Sequence, residues 1–235
     1  TLTLNNNITA GSFTEVAGSV GTIVVGNATP VTFQVSGTNS GFQFLNSVQL
    51  KQNLIILSNS NVLFDGTVDT QTGSASKNLA ITVQAGASKN VTFSGAVGSN
   101  VNVAMGDITI GGATAINAGT NTITALSLDA TATGVITLKG VQTYSGTSGL
   151  KLTADGDIFV GTIVTSNSGN VSLNNKNALN ILGNITSAGS INQVTRTGGA
   201  SLVNFGDTSS ASTLILQSTT SGLPVSFDAS MVLNK

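Results

Sequence analysis

The chain has 235 residues, of which only 7% are charged, and its eight basic and nine acidic residues leave a net charge of −1. Because the few Lys and Arg residues are scattered, the sequence excludes the basic surface that binding to nucleic acid or anionic lipid requires. With no His and no Cys, it also excludes Ser-His-Asp and Cys-His catalysis, disulfides, and metal sites built on imidazole or thiolate.

Short apolar alternations recur along the whole chain and predict many short strands. A period of two is typical of a strand with one buried face. Good helix formers never accumulate over three turns, which excludes substantial helix. The longest apolar runs, such as Leu54-Ile55-Ile56-Leu57, are too short to cross a bilayer. In chain order, the predicted strands contain Leu2/Leu4, Val31/Phe33/Val35, Phe42/Phe44, Val62/Phe64, Leu79/Ile81/Val83, Val91/Phe93, Val101/Val103, Ile108/Ile110, Leu126/Leu128, Val171/Leu173, Leu179/Ile181 and Leu214/Leu216.

The turn residues favour a parallel β-solenoid over an antiparallel sandwich or barrel, the two all-β architectures with many short strands. Tight antiparallel hairpins prefer Asn-Gly or Asp-Gly. The chain has no Asn-Gly and only two Asp-Gly pairs, at Asp65-Gly66 and Asp155-Gly156. Most connections instead combine Gly, Ser, Asn and Thr in ways that suit corners between strands that keep turning in one direction.

The composition also predicts the dimensions of this solenoid. With roughly 20 residues per coil, the chain would form about eleven or twelve coils and a rod of ~50–55 Å at the usual strand spacing. Its composition is uniform, which predicts one unit over residues 1–235. Nine Phe, one Tyr and no Trp predict a narrow core that closes on aliphatic side chains. The two prolines, Pro30 and Pro224, fall just before apolar alternations, at strand starts where a missing N–H is tolerated.

Asp155 and Asp157 are the candidate carboxylate pair. Two residues apart, they would share one face of an extended strand, and glycan-cleaving enzymes act with paired acids. The favoured interpretation is a polar turn, because the only arginine, Arg196, is distant in sequence. We therefore assign no catalytic residue and no cofactor.

The remaining motifs are weaker. Isolated Asp residues do not form the repeated aspartate turns of calcium β-rolls, so no metal ligand is assigned. Gly111-Gly112 and Gly198-Gly199 lack the rest of a phosphate loop and are expected at strand corners. Four Thr-x-Thr pairs do not recur at a fixed interval, so we expect solvated strand faces: Thr1/Thr3, Thr122/Thr124, Thr131/Thr133 and Thr195/Thr197. Five glycosylation sequons, at Asn7, Asn27, Asn90, Asn170 and Asn184, are attributed to chance.

One stretch of about 60 residues resembles a known family. It contains Leu138-Lys139-Gly140-Val141-Gln142-Thr143-Tyr144-Ser145-Gly146-Thr147, followed by Leu150-Lys151-Leu152-Thr153. This pattern resembles the strand repeat of bacterial autotransporter passengers. The neighbouring segments Ala154-Asp155-Gly156-Asp157-Ile158 and Gly169-Asn170-Val171-Ser172-Leu173 are similar to filamentous-haemagglutinin-like surface adhesins.

The resemblance implies a right-handed parallel β-helix that is exported across the outer membrane to the surface of a Gram-negative cell or to the medium. It implies a separate outer-membrane translocator, because the chain lacks the strands of a membrane barrel and is not itself membrane-spanning. The first residues also lack a signal-peptide pattern, so we expect a mature piece or a fragment of the exported protein.

These observations predict a non-catalytic passenger segment that acts in adhesion or as a structural element of a surface layer. Its expected partners are a host-cell receptor or matrix component, with no nucleic acid. Two alternatives stay open: a β-helical polysaccharide-cleaving enzyme, and a fibre or sheet unit that self-associates through the solenoid ends. The sequence does not single out the residues of a binding site.

Overall fold

The computed structural model describes residues 1–15, 21–38, 41–84, 88–206 and 213–234. These residues form parallel β-strands joined by turns, with no helix among them. None of them therefore forms a helix with the length and apolar character that crossing a membrane requires. In chain order, the strands are β1 (Leu2–Leu4), β2 (Ile8–Ala10), β3 (Phe13–Thr14), β4 (Ile23–Val25), β5 (Val31–Val35), β6 (Phe42–Phe44), β7 (Val48–Leu50), β8 (Leu54–Ser58), β9 (Val62–Phe64), β10 (Val68–Thr70), β11 (Leu79–Val83), β12 (Asn90–Phe93), β13 (Met105–Ala113), β14 (Ala115–Gly119), β15 (Ile123–Ala132), β16 (Ile136–Leu138), β17 (Gln142–Ala154), β18 (Ile158–Val160), β19 (Ile163–Thr165), β20 (Val171–Asn175), β21 (Ala178–Ile181), β22 (Ile185–Ser187), β23 (Ile191–Thr195), β24 (Leu202–Phe205), β25 (Leu216–Ser218), β26 (Val225–Phe227) and β27 (Ser230–Leu233).

The strand pairings are parallel and join strands from successive turns of the chain, which confirms the β-solenoid. They build three faces. The long strands β15 and β17 each run from the first face into the second. The first face contains β1, β4, β7, β10, β15, β17, β19, β22 and β25; the second contains β2, β5, β8, β11, β13, β15, β17, β20, β23 and β26; the third contains β3, β6, β9, β12, β14, β16, β18, β21, β24 and β27.

The expected number of coils was too high. The third face has ten strands among the described residues, and the solenoid makes about nine turns. The reason is that turn lengths vary. Ile123 pairs with Gln142, 19 residues later, whereas Ile185 pairs with Leu216, 31 residues later. A longer spacing between paired strands uses more residues per turn, so the same chain makes fewer turns.

The core is one continuous column of inward-facing side chains. Strands on all three faces alternate buried and more exposed residues, as in Val31–Val35 and Leu79–Val83. Each inward residue stacks on its partner one turn away; for example, Leu150 stacks between Leu128 and Val171. The period of two in the sequence therefore corresponds to burial, and burial of these apolar columns is the main stabilising contribution.

The expectation of a purely aliphatic core is wrong for the N-terminal half. Six of the nine phenylalanines contact one another there, with ring centroids 5.0–6.3 Å apart, and four of them stand in β6, β9 and β12. The C-terminal half closes mainly on Leu, Ile, Val and Ala, with Tyr144 and Phe205 as buried aromatic residues. The six phenylalanines that contact one another in the N-terminal half are Phe13, Phe33, Phe42, Phe44, Phe64 and Phe93.

Side-chain oxygens link successive turns at the corner before the second face. The amide of Asn78 donates to Oδ1 of Asn53 at 3.0 Å, and the amide of Asp107 donates to Oδ1 of Asn78 at 2.9 Å. The hydroxyl of Ser127 continues the ladder with a 2.6 Å hydrogen bond to Asp107. Pro30 lies at this corner directly before β5, and Pro224 directly before β26, as predicted. Corner residues of this kind satisfy backbone groups that the strands leave unpaired.

Glycines allow the turns to approach closely at the corner between the third and first faces. A Cβ on Gly161 would lie 2.0 Å from the carbonyl oxygen of Lys139 and 2.5 Å from that of Gly140. A Cβ on Gly183, one turn later, would lie 2.8 Å from the carbonyl carbon of Gly161. Any side chain here would push the turns apart, which explains why Gly recurs at this point in the sequence.

Candidate functional site

Asp155 and Asp157 lie in the turn between β17 and β18 and not in an extended strand, so the polar turn is confirmed. Asp157 accepts the amide of Ala178 at 3.0 Å through Oδ1, as a corner residue. The backbone of the turn is held as well, because the amide of Gly156 donates to Gly134 at 3.0 Å. Both carboxylates thus occupy a corner that links neighbouring turns.

The structure brings Arg196 beside Asp155, although the sequence suggested that they were distant. Nε of Arg196 lies 3.0 Å from Oδ1 of Asp155, with both side chains partly exposed. The reason is the stacking of the coils. Asn175 pairs with Ala154 on one side and Thr195 on the other, so residues about 40 apart in sequence stand only two turns apart. A partly exposed ion pair of this kind contributes little to stability.

The other predicted motifs occupy structural positions. Gly112 has a positive φ of 76° at an irregularity in β13, and Gly198, with φ 78°, lies in the turn after β23. Thr124 stacks on Thr143 of the first face, whereas Thr131 stacks on Thr153 of the second, so these Thr-x-Thr pairs do not form one lattice. No group of three or more acidic side chains comes together among the residues described.

Asp228 has a lowered pKa, first because the Thr195 hydroxyl donates to its carboxylate at 2.7 Å. The backbone amide of Thr195 also donates to both carboxylate oxygens, at 2.8 and 2.9 Å. Slight desolvation acts in the opposite direction and raises the pKa. The carboxylate therefore fastens the end of β23 to the following turn, and Thr195 has a structural role.

Residues 98–104 form a loop that projects from the first face, and we call it the projecting loop. The alternation Val101/Val103 predicted a strand here, and that prediction is wrong: only Val97 makes isolated bridges, to Val68 and Ile123. The chain leaves the face at Gly98, whose φ is 71° and whose Cβ would lie 1.8 Å from the carbonyl oxygen of Thr124. Only glycine fits this position.

Polar contacts hold the base of the projecting loop. The carboxylate of Asp69 accepts the Ser99 hydroxyl at 3.0 and 3.1 Å and the amide of Asn100 at 3.1 Å. Nδ2 of Asn100 donates to the carbonyl of Thr70 and to the hydroxyl of Thr72, both at 3.0 Å. These bonds tie the loop to β10 and the turn after it, so its conformation is fixed by side chains of the preceding turn.

The projecting loop presents an apolar side chain and forms one wall of a groove, which we call the loop groove. Val101, near the tip, is 96% exposed, and Val141 on the groove floor is 47% exposed. The cavity has a volume of about 390 Å³. It is lined by Gly98, Ser99, Asn100, Val101, Ala104, Thr122, Thr124, Val141 and Thr143.

None of these lining residues is charged. The hydroxyls of Thr122, Thr124 and Thr143 make no hydrogen bond within the part of the chain that the structure describes. The groove thus offers unused hydroxyls next to exposed methyl groups. The site was not predicted from the sequence because the Val101/Val103 alternation indicated a strand. Gly98, Asn100 and Asn102 could have indicated a loop instead, since strands disfavour Gly and Asn.

The fold places the chain in a structural class, the parallel β-solenoids. Comparisons with family models, with curated proteins and with solved structures give no match. The loop groove and the three faces are therefore the features of the molecule that bear on its function.

Proposed function

We propose that the chain is a non-catalytic β-solenoid segment of a surface-exposed or secreted bacterial protein, and that it acts in adhesion. In this proposal the solenoid is a stiff support, and the projecting loop and loop groove make the contact with a host-cell receptor or matrix component. A separate outer-membrane translocator would export it. The resemblance of residues 138–153 to autotransporter passengers supports the surface location.

The observation that carries the proposal is the exposure of Val101 on a loop that is already ordered. A large aliphatic side chain that is 96% exposed makes no contribution to the core. The bonds from Asp69 and Asn100 nevertheless tie the base of its loop to the preceding turn. A partner that buries such a side chain gains apolar contact without the entropic cost of ordering the loop.

The solenoid suits this role because its second and third faces are continuous parallel ladders, and bridges at Val97 join the two parts of the first face. Outward residues stack as neutral polar columns; in one of them Nδ2 of Asn204 donates to Oδ1 of Asn180 at 3.0 Å. Stacked amides and hydroxyls can bond along the column, whereas stacked like charges would repel. The scarcity of charge in the sequence is thus compatible with a long, stiff display element.

Adhesion can be tested with beads that carry the purified chain. We expect coated beads to bind epithelial cells better than uncoated beads, and we expect Val101→Ser to lower that binding several-fold because it removes the exposed apolar contact. Val135→Ser is the matched control: Val135 is 36% exposed and lies before β16, away from the projecting loop.

Two results would contradict the proposal. One is equal binding by coated and uncoated beads. The other is an equal loss for Val101→Ser and Val135→Ser, which would show that the projecting loop is not the contact. Circular dichroism of both variants should match the parent chain, because neither valine is part of the core.

A further inference from the structure

We propose that the loop groove binds a neutral oligosaccharide. This inference rests on the proposed adhesive function and specifies the ligand chemistry of the same site. It follows from four features of the groove, which are its size, its lack of charge, its unused hydroxyls and the paired state of the backbone beneath it.

The size of the groove fits a short chain of sugar units. Its floor crosses three successive turns, marked by Val97, Ile123 and Gln142. At the usual strand spacing this is about 10 Å along the solenoid. A volume of about 390 Å³ lies within the range of about 300–1,000 Å³ that small-ligand sites occupy.

The lack of charge selects a neutral ligand. The carboxylate of Asp69, at the base of the projecting loop, already accepts hydrogen bonds from Ser99 and Asn100. A charged ligand would therefore lose hydration in the groove without gaining an ion pair, which is unfavourable. A neutral ligand meets no such penalty.

The unused hydroxyls select a ligand rich in hydroxyl groups. Each threonine hydroxyl can donate one hydrogen bond and accept others, and Thr124 and Thr143 are stacked as a pair on neighbouring turns. Val101 and Val141 supply methyl groups against which the C–H face of a sugar ring can pack. A sugar chain alternates these two kinds of surface.

The backbone under the groove argues against a peptide that binds by strand addition, since that mode needs a free strand edge. Here the amide of Val97 donates to Thr122 at 2.9 Å, and the amide of Thr124 donates to Val97 at 2.8 Å. The amide of Gly98 likewise donates to the carbonyl of Val68 at 2.8 Å. Side chains are thus the principal recognition groups on the floor.

The test is a glycan array that displays neutral oligosaccharides beside the same structures carrying sialic acid or sulfate, followed by calorimetry with the best neutral binder. We expect binding to neutral members, with no gain from the acidic groups. Thr124→Val removes one hydroxyl at nearly constant shape and should weaken binding about fivefold. Val141→Ser should weaken it by a similar factor.

Each variant has a matched control outside the groove. Thr137→Val changes an outward threonine on β16 of the third face, and Val135→Ser changes a valine that precedes a strand as Val141 does. Both controls should bind as the parent chain does. Equal losses in variants and controls, a preference for sialylated or sulfated members, or no binding to any neutral member would each overturn the inference.

The two proposals fail separately. If coated beads adhere in a Val101-dependent way but no neutral oligosaccharide binds, the ligand chemistry is wrong and the adhesive function stands. If neutral oligosaccharides bind with the expected loss in Thr124→Val while beads do not adhere, the site stands and the adhesive function fails.

Discussion

Tyr144, the only tyrosine of the chain, shows at the scale of one residue how a polar group is accommodated in the column of apolar side chains. It is fully buried, and its hydroxyl donates to Oε1 of Gln142 at 3.0 Å. Nε2 of Gln142 in turn donates to the carbonyl of Gly140 at 3.3 Å. Burial raises the pKa of the Tyr144 phenol far above its ordinary value, because the phenolate would be desolvated.

This raised pKa predicts a stability change on the alkaline side. The folded state keeps the phenol proton after the unfolded state has lost it, so the contribution is complete below pH ~10 and declines as pH rises above it. Between pH 8 and pH 11 this titration should lower the free energy of unfolding of the parent chain by about 1.4 kcal/mol, whereas Tyr144→Phe has no such loss. At pH 8 the variant should be less stable by about 1 kcal/mol, since Gln142 loses its donor.

Urea unfolding of both proteins at pH 8 and pH 11 measures this difference, and the parent–variant comparison cancels the titration of the lysines. Parallel pH profiles would show that Tyr144 is solvated in the folded state. A separate urea series at acid pH, on the parent chain and Asp228→Asn, reports the Asp228 carboxylate. Because its pKa is lowered, its contribution is present above pH ~4 and lost as pH falls through the folded value.

Asparagine side chains show how much of a corner can be inferred from single residues. Three of the five sequon asparagines accept an amide from the next turn through Oδ1: Asn7 from Thr32, Asn170 from Ser190 and Asn184 from Ile215. Each stands directly before a strand whose first residue is apolar and whose second residue, Thr or Ser, is more polar. At these three positions the sequon residues therefore have a structural role at a corner between turns.

At the scale of elements, the alternation of apolar residues predicted strands well and loops poorly. Val62/Phe64 and Val101/Val103 look alike in sequence, yet the first pair is buried in β9 and the second stands in the projecting loop. The difference depends on Gly98 and Asp69, which are remote in sequence from each other and become neighbours only through stacking. The proximity of Asp155 and Arg196 has the same origin, so neither could be inferred from local pattern.

Gly98 is expected to be the residue on which the projecting loop depends. Gly98→Ala places a Cβ 1.8 Å from the carbonyl oxygen of Thr124 at a φ of 71°. Gly73→Ala is the control, because Gly73 has a φ of 81° but no atom within 4 Å of the added Cβ. The control isolates the cost of the left-handed backbone, which is about 1–2 kcal/mol.

We expect Gly98→Ala to lower the free energy of unfolding by at least 1 kcal/mol more than Gly73→Ala, roughly the scale of a buried steric clash. Chemical denaturation measures both, and amide exchange at Asn100 and Asn102 should increase only in Gly98→Ala. Equal destabilisation with unchanged exchange would mean that the projecting loop does not need the close approach at Gly98.

At the scale of the whole molecule, each turn contacts mainly its neighbours, so stability is nearly a sum of terms between adjacent turns. In the N-terminal half, contacts among the six clustered phenylalanines contribute to these interactions between adjacent turns. The ring of Phe64 lies 5.5 Å from that of Phe44 and 5.3 Å from that of Phe93, which joins three successive turns. Phe159, by contrast, points outward from β18, with Nζ of Lys139 5.1 Å from its ring.

This arrangement predicts local, not global, unfolding. Phe64→Ala should lower the free energy of unfolding by about 3–5 kcal/mol, as expected for a buried phenylalanine. Amide exchange should become faster in β6, β9 and β12, while β18, β21 and β24 keep their protection. Phe159→Ala should cost about 1 kcal/mol or less, since it removes only a partly exposed ring and one cation–π contact. Hydrogen exchange measured strand by strand distinguishes local from global unfolding. A uniform loss of protection along all three faces in Phe64→Ala would show that the solenoid unfolds as one cooperative unit. In that case a substitution in one turn would destabilise turns that it does not contact.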